Sequence, residues 1–191
     1  LAMETVRLES TVSETQQLIL PRKGIIELNR LLSDDGEEIK LTFGANHIRV
    51  AIPEFTFTSK LVDGKFPDYN RVLPKGGDRV LTNDREELRQ AFSRASILSN
   101  EKYHGVRIIL SKNELKILAN NPEQEEAEEV VAVSYDSEAL EMGFNVSYLI
   151  DVLSTLQSQK VKITLSDANS SALLEADEGS EALYVVMPMR L

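Results

Sequence analysis

A unit of strand, helix and three further short strands recurs three times along the chain. The predicted helices begin near residues 21, 84 and 146, which are 63 and then 62 residues apart. Each has a recognisable start: Pro21 at a first helical position, Asn83 with Glu86 as a capping pair, and Asn145 as a cap. The repeat predicts an α+β fold in which helices pack on antiparallel sheet.

Short alternating or β-branched runs predict the strands that follow each helix. In chain order they are EIKLTFGA, HIRVAIP and EFTFTSKL, then GVRIILSK, ELKILAN and EEVVAVSY, then KVKITLSD, SALLEAD and LYVVMPM. The second and third units, residues 70 to 191, together predict one domain with two helices over continuous sheet. The first unit, joined by a linker at 62 to 78, would leave a strand edge and an apolar helix face uncovered, so we expect its partner unit upstream of Leu1.

Composition places the chain among globular proteins and restricts its chemistry. It has 191 residues, of which 42% are hydrophobic, enough for one large domain or two ordinary ones. The absence of cysteine excludes disulfides, thiolate zinc sites and a cysteine nucleophile. No window approaches the roughly 20 apolar residues of a membrane span, and no secretion signal is present, so we expect a cytoplasmic protein. Because the first residue is Leu1, we also expect a fragment of a longer protein.

The net charge of -10 argues against a protein coated in basic surface, but it does not exclude DNA. A few basic residues on an inner surface would not show in the net charge, because acidic residues elsewhere on the chain outnumber them. Arg22 and Lys23 begin a helix, where the helix dipole mildly disfavours a basic side chain. Two explanations account for basic residues at this position: contact with a phosphate backbone, or plain solvation. Three more basic side chains could join a phosphate contact, namely Arg30, Arg89 and Arg94.

The sequence offers little for catalysis or metal binding. Neither histidine has a metal-pair spacing or an obvious serine and carboxylate set nearby, and no glycine-rich phosphate loop is present. Residues 167 to 178 fit several positions of a calcium loop but have Ala172 where that loop needs glycine, which favours an ordinary turn. A hydrolase using Asp34 and Asp35 is a remote alternative, because no second polar cluster completes a site.

An acidic run, NPEQEEAEEVVAV, leads directly into a predicted strand and carries glutamates at 123, 125, 126, 128 and 129. Two explanations stay open. The glutamates form either a solvated strand edge, where acidic side chains discourage random pairing, or a charged seam against another subunit.

The C-terminal stretch LYVVMPMRL, residues 183 to 191, is apolar almost to its end, although chain ends are usually polar and frayed. A buried final strand, up to about Val186, accounts for half of these apolar side chains. It does not account for the lip that follows, from Met187 to Arg190. Methionine-bearing exposed apolar surface suits a site that accepts several related peptides.

Several stretches resemble the bacterial DNA polymerase III beta subunit family, the sliding clamps: TSKLVDGKFPDYNRVLPK, ILSNEK, ANNPEQEEAEE, GFNVSYLIDVL and YVVMPMRL. The resemblance covers essentially the whole chain but only the C-terminal half of the family's length. It implies the DNA clamp fold of three similar domains, each built from two half-units, with two subunits closing head-to-tail into a ring around duplex DNA. Residues 1 to 69 would then be the C-terminal half of the middle domain plus a linker, and residues 70 to 191 the complete third domain.

The resemblance also implies roles for matching residues. A groove that docks short peptides of polymerase subunits, the clamp loader and repair proteins would be formed by Leu1, Pro67, Arg71, Val72, Asn145, Tyr148, Ser171, Val185, Val186, Met187, Pro188, Met189 and Arg190. The seam with a second subunit would involve Ile97, Leu98, Gln124, Glu125, Glu126, Glu128 and Glu129. Arg22 and Lys23 would face DNA. The family is non-catalytic, and the resemblance implies no cofactor and no metal.

The chain departs from the family pattern at its start. The family's Thr, Gly, His and Arg before the leucine that matches Leu1 are absent, as is the domain on the other side of the seam. We therefore expect one wall of the groove to be incomplete and ring closure from this chain alone to fail. A stand-alone regulatory scaffold that binds proteins without encircling DNA is the alternative function.

Overall fold

The computed structural model describes residues 1–7, 16–32, 38–74, 76–178 and 181–190. The chain divides into two compact units. The larger unit consists of Leu1–Arg7 and Tyr69–Leu191, and the smaller unit consists of Leu8–Asp68. The first seven residues therefore pack with the larger unit.

The described residues form three α-helices, one short 3-10 helix and twelve strands. The helices are α1 (Arg22–Leu31), α2 (Arg85–Ser96) and α3 (Val146–Thr155), and the 3-10 helix spans Tyr69–Arg71. The strands are β1 (Ala2–Met3), β2 (Lys40–Phe43), β3 (His47–Ala51), β4 (Thr56–Lys60), β5 (Arg79–Asp84), β6 (Gly105–Ser111), β7 (Glu114–Asn120), β8 (Glu126–Ala132), β9 (Leu140–Asn145), β10 (Lys160–Leu165), β11 (Ala172–Ala176) and β12 (Leu183–Val186). In the larger unit, the order β5-α2-β6-β7-β8 recurs as β9-α3-β10-β11-β12, so the predicted α+β repeat is confirmed.

Two antiparallel sheets build the larger unit. One has the strand order β1-β12-β11-β10-β5 and the other has the order β8-β7-β6-β9. Between β6 and β9, Val106 lies opposite Phe144 and Leu110 lies opposite Leu140, and all four side chains are buried. Because alternate residues of a strand point to the same face, this register turns one apolar face of the sheet inward.

Helices α2 and α3 pack against each other and join a core shared with both sheets. Leu88 and Phe92 of α2, with Leu149 and Leu153 of α3, recur at helical spacing and are at most 4% exposed. Burial of a side chain of this size contributes ~1.5–3 kcal/mol. The core thereby decides which face of α3 stays outside, and Tyr148 on that face is 59% exposed.

Side-chain caps fix the helix starts, and one of them corrects the prediction. Helix α3 is capped as predicted by Asn145, whose side-chain oxygen accepts from Ser147 N–H at 2.9 Å. Helix α2 is capped by Asp84 and not by Asn83, because the Asp84 carboxylate accepts from Glu87 N–H at 2.9 Å. Both residue types cap well, so the sequence alone left two adjacent positions available.

The smaller unit contains α1 and the antiparallel sheet β2-β3-β4. Helix α1 begins one residue after Pro21, the residue predicted to open it. Gly24 allows α1 to approach β4 closely, because a Cβ at this position would lie 2.9 Å from Ser59 Oγ. Leu41 and Phe43 of β2 are each 50% exposed. This is the uncovered apolar surface expected for a lone unit of the repeat.

Candidate functional site

An apolar cavity of about 580 Å³ lies between α3 and the strands β1 and β12. Five of its lining residues were predicted for the groove, namely Leu1, Tyr148, Val185, Val186 and Met187. The other lining residues were not predicted and are Ala2, Asp151, Val152, Thr155 and Tyr184. The volume lies within the usual range for ligand pockets.

The strand wall of the apolar cavity is built by the pairing of β1 with β12. Ala2 lies opposite Tyr184. Val185 N–H donates to Leu1 O at 2.8 Å, and the Leu1 nitrogen donates to Val185 O at 2.9 Å. Val185 and Val186 are both buried, so this wall rests on the packed interior of the larger unit.

The helix wall is the outer face of α3. Tyr148, Asp151 and Thr155 follow one another at spacings of three and four residues, which places their side chains on one face of the helix. Leu149 and Leu153 fix the opposite face in the core. The outer face is therefore held toward the cavity by the same packing that stabilises the domain.

The apolar surface of this cavity is exposed in the free chain. Met187 is 72% exposed and Leu1 is 42% exposed, in addition to the exposed Tyr148. Concave apolar surface of this kind marks binding sites for ligands or proteins, and methionine adapts to related side chains. The lining contains no histidine, lysine or arginine, so the arrangement suits binding of apolar and aromatic groups rather than bond chemistry.

The segment after β12 divides the predicted lip between two cavities. Met187 lines the apolar cavity, whereas Met189 and Arg190 line a separate cavity of about 410 Å³. The division follows from one hydrogen bond: Met189 N–H donates to Gly143 O at 2.8 Å, which attaches the segment to β9, the edge strand of the other sheet. Pro188 lies between the two methionines. The other residues lining this second cavity are Asn100, Tyr103, Gly105, Asn120, Asn121 and Pro122.

Three further predicted groove residues, Arg71, Val72 and Ser171, line a third cavity of about 560 Å³. Its other lining residues are Leu73, Pro74, Ser166, Asn169 and Ser170. Asn145 lines none of the three cavities, since its side chain caps α3 and also donates to Tyr103 O at 3.2 Å. Pro67 belongs to the smaller unit. The structure thus gathers five of the predicted groove residues around one apolar cavity and places the others elsewhere.

The predicted seam residues lie at the end of α2 and along β8. Ile97 follows α2 and is 77% exposed, and the adjacent Leu98 is partly buried. In the turn before β8, Gln124 has a φ of 66° and Glu125 accepts from a neighbouring asparagine amide at 2.7 Å. Among the described strands, β8 pairs only with β7 and forms the edge of its sheet. An open strand edge beside an exposed isoleucine is surface that a partner can cover.

Two glutamates of the acidic run are bound by cations of the same chain. Arg94 of α2 donates two hydrogen bonds of 2.8 Å to the Glu129 carboxylate, and this pairing lowers the pKa of Glu129 below its ordinary value. Lys116 lies 3.1 Å from Glu128. Glu126 forms no ion pair with the described residues. The run is therefore partly neutralised within the chain itself.

Arg22 and Lys23, predicted to face DNA, begin α1 and are exposed, and neither forms an ion pair with the described residues. The other three candidate cations are bound to carboxylates: Arg30 to Glu27, Arg89 to Glu86 and Arg94 to Glu129. Hydrogen bonds from Arg89 and Gln90 lower the pKa of Glu86 to about 2. Of the basic residues considered for phosphate contact, the pair at the start of α1 has no carboxylate partner within the part of the chain that the structure describes.

The remaining polar motifs of the sequence do not assemble a second site. Asp167 accepts from Asn169 N–H at 2.8 Å and from the Ser170 hydroxyl at 2.7 Å, so its carboxylate shapes a turn. Asp34 and Asp35 lie outside the described residues. Among the residues that the structure describes, no group of three His, Cys, Asp or Glu side chains is placed to hold a metal ion. The described helices include none that is both long and apolar enough to cross a membrane.

Two protein-family models match the chain. The model described as "DNA polymerase III beta subunit, C-terminal domain" matches residues 70–190, and the model described as "DNA polymerase III beta subunit, central domain" matches residues 1–68.

Curated relatives named "Beta sliding clamp" are similar along nearly the whole chain. The protein from Pseudomonas putida is 59% identical over 178 residues, which are 93% of this chain and 48% of the relative. The protein from Pseudomonas aeruginosa is 56% identical over all 191 residues and 52% of its own length. The Escherichia coli protein is 52% identical over 93% of this chain and 48% of its own length. The chain thus spans about half the length of the relatives that it matches.

The solved structures that resemble the chain include further sliding clamps. A crystal structure of the DNA polymerase sliding clamp from Pseudomonas aeruginosa with ligand has a TM-score of 0.96 at 56% identity, covering 100% of this chain and 52% of the other. A sliding clamp from Bartonella birtlesii bound to griselimycin has a TM-score of 0.94 at 39% identity, covering 100% of this chain and 51% of the other.

Proposed function

The chain belongs to the DNA polymerase III beta subunit family, the bacterial sliding clamps, and we propose that it docks other proteins through the apolar cavity between α3 and β12. The observation that carries this proposal is the convergence of five predicted groove residues on that cavity, several of them exposed and apolar. The protein of which these residues are part encircles duplex DNA without reading its sequence and holds polymerases on it. It performs no bond chemistry of its own.

In this proposal, residues 70 to 191 are the third domain of the clamp, and residues 1 to 69 are the C-terminal half of the middle domain with a linker. The matches of the two family models to residues 1–68 and 70–190 support this division. The comparisons give no support to a stand-alone scaffold that never encircles DNA.

The partners are proteins that present short peptides with apolar and aromatic side chains. They include DNA polymerase subunits, the clamp loader and repair proteins, and the protein acts with them on DNA in the cytoplasm. Burial of two or three such anchors at ~1.5–3 kcal/mol each, less the free energy of ordering and association, gives a dissociation constant of roughly micromolar order.

The seam with a second subunit is proposed at Ile97, Leu98 and the edge of β8. The exposure of Ile97 and the open edge of β8 support this assignment. Contact with DNA is proposed at Arg22 and Lys23, because they are exposed cations without an ion-pair partner among the described residues.

The docking assignment is tested by titrating a fluorescent, amide-capped pentapeptide ending in leucine and phenylalanine into the chain and into its Met187→Ala variant. Met187 is 72% exposed, so covering it should contribute about 1 to 2 kcal/mol, and its loss should weaken binding by about 5- to 30-fold. The fold should be unaffected, since the side chain has little packing to lose.

Val130→Ala is the matched control, because Val130 is also an exposed apolar residue, 53% exposed on β8, and lines none of the three cavities. It should bind the peptide as tightly as the unchanged chain. If the two variants weaken binding equally, or if the unchanged chain does not bind the peptide, the assignment of the groove is wrong.

A further inference from the structure

We infer that the apolar cavity also selects by charge: it favours peptides that carry a cationic side chain next to their apolar anchors, and Asp151 is the residue that recognises the cation. This inference rests on the proposed docking function and adds to it the chemistry of the peptide.

Asp151 is the only charged side chain among the residues that line the apolar cavity, and the one cation of the lining, the Leu1 α-ammonium, donates to Val185 O at 2.9 Å. It is exposed, and its carboxylate forms no hydrogen bond or ion pair with the described residues. The backbone oxygen of Asp151 is used, since it accepts from Thr155 Oγ1 at 2.8 Å, but the side-chain oxygens are not. Several other carboxylates are engaged by an arginine or a lysine of the same chain, including Glu86, Glu128 and Glu129. Asp151 differs from these three because its carboxylate has no partner among the described residues and lines the apolar cavity.

The helix that carries Asp151 adds no compensating charge. Helix α3 has no basic residue in its last turn, and Asp151 is its only charged side chain. Tyr148 and Thr155 flank Asp151 about one turn away on either side, so a cation reaching Asp151 would lie against surface already used by an apolar anchor.

A negative charge also lies near the strand wall of the cavity. Burial, and then the negative charge of Glu4, raise the pKa of Tyr184, which lines the cavity from β12. Glu4 follows β1, is exposed and forms no ion pair with the described residues. Asp151 lines the cavity from α3, and Glu4 lies close enough to Tyr184 on the strand wall to affect its pKa.

The arginines predicted for the groove are separated from these carboxylates. Arg71 lines the third cavity and Arg190 lines the second, whereas the apolar cavity has neither. An anionic group on a peptide would therefore be attracted away from the apolar cavity, and a cationic group would be attracted to it. Complementary charge at the rim of a site gives specificity more than affinity.

The inference is tested with sets of three acetylated, amide-capped pentapeptides that share a leucine and phenylalanine ending. Within each set of three, the peptides differ at one position, which is lysine, norleucine or glutamate. One set is made for each of the three positions before the leucine and phenylalanine. At one position, lysine should bind about two- to fivefold more tightly than norleucine, and glutamate more weakly, as is typical of a charge pair at a solvated rim. The preference should fade between about 0.1 M and about 1 M salt, as the screening length falls from about 10 to about 3 Å.

Asp151→Asn should abolish the preference for the lysine peptide over the norleucine peptide, whatever the absolute affinity of the variant for either. Asp136→Asn is the control, since it makes the same change in net charge at an exposed carboxylate that pairs with Lys112 at 2.9 Å and lines none of the three cavities. This control should retain the preference.

The outcomes separate this inference from the proposed function. If the norleucine peptide binds but all three peptides bind alike at every position, charge selection is refuted and docking stands. If lysine is preferred equally by Asp151→Asn, another group recognises the cation and the assignment to Asp151 is wrong. If no peptide of the series binds, the docking function itself fails, and the inference fails with it.

Discussion

Replacement of Arg85 by alanine tests what holds the C-terminal end of α3 in place. Arg85 is the first residue of α2, and its guanidinium donates from Nε to Ser158 O at 3.0 Å and from Nη1 to Leu153 O at 2.7 Å. Leu153 O is among the last four carbonyls of α3, which have no partner within the helix. One side chain therefore joins the start of α2 to the end of the helix that carries Tyr148 and Asp151.

The expected loss follows from these two bonds. A hydrogen bond to a charged group contributes about 1.5–3 kcal/mol. The Arg85 side chain is 23% exposed, so water can replace part of the bonding and the lower end of that range applies. We expect Arg85→Ala to lower the free energy of unfolding by about 2 to 3 kcal/mol. With a slope near the middle of the usual range, about 2 kcal/mol per molar urea, the unfolding midpoint should fall by about 1 to 1.5 M.

Urea unfolding followed by tyrosine emission suits this chain, which has five tyrosines and no tryptophan. Arg89→Ala is the matched control, because Arg89 also donates two side-chain hydrogen bonds from α2, but to the Glu86 carboxylate, whose side chain is 42% exposed. Exposed ion pairs contribute little, so this variant should unfold near the original midpoint. Arg85→Lys should recover part of the loss, since an ammonium lacks the fork of the guanidinium. A midpoint for Arg85→Ala no lower than that for Arg89→Ala would refute the reasoning.

Two further predictions concern the seam and the chain before β5. Because Arg94 lowers the pKa of Glu129, the pair stabilises the fold fully above about pH 4.5, the ordinary value for glutamate, and loses this effect as pH falls through the lowered pKa. The melting temperature of Glu129→Gln should therefore lie below that of the unchanged chain at neutral pH and converge with it in acid, and a gap that stays constant would contradict this. Gly77→Ala should destabilise the fold by about 1–3 kcal/mol in urea unfolding, since its Cβ would lie 2.6 Å from Thr164 Cγ2 and 2.9 Å from Leu165 O. Adding Thr164→Ser should restore only part of that loss, because Leu165 O is backbone, and a complete rescue would show that the backbone contact is harmless.

The elements with strong local patterns were predictable from the sequence. The start of α3 at Asn145 and the alternation in β6 and β9 are local signals, and the structure follows them. Strand β1 was not predictable, because it has two residues and exists only through its pairing with β12, about 180 residues further along the chain. The bidentate bond from Arg94 to Glu129 likewise joins residues 35 apart and has no local pattern.

The candidate site was predictable in part. The resemblance pointed to Tyr148 and Met187, and both line the apolar cavity. Asp151 and Thr155 were not predictable, because the helical periodicity of α3 marks its buried face and the residues on the outer face carry no periodic signal of their own. Their role depends on β12 lying opposite that face, which is a property of the tertiary fold.

The bond from Met189 N–H to Gly143 O makes a single amide proton informative. It joins the segment after β12 to the edge of the other sheet, and none of the residues from Met187 to Arg190 is fully buried. Exchange of this proton with heavy water therefore reports local opening of the segment, whereas amides within β6 and β7 report global unfolding. Comparing the two exchange rates with and without a peptide would show whether a peptide in the apolar cavity slows local opening of the segment after β12.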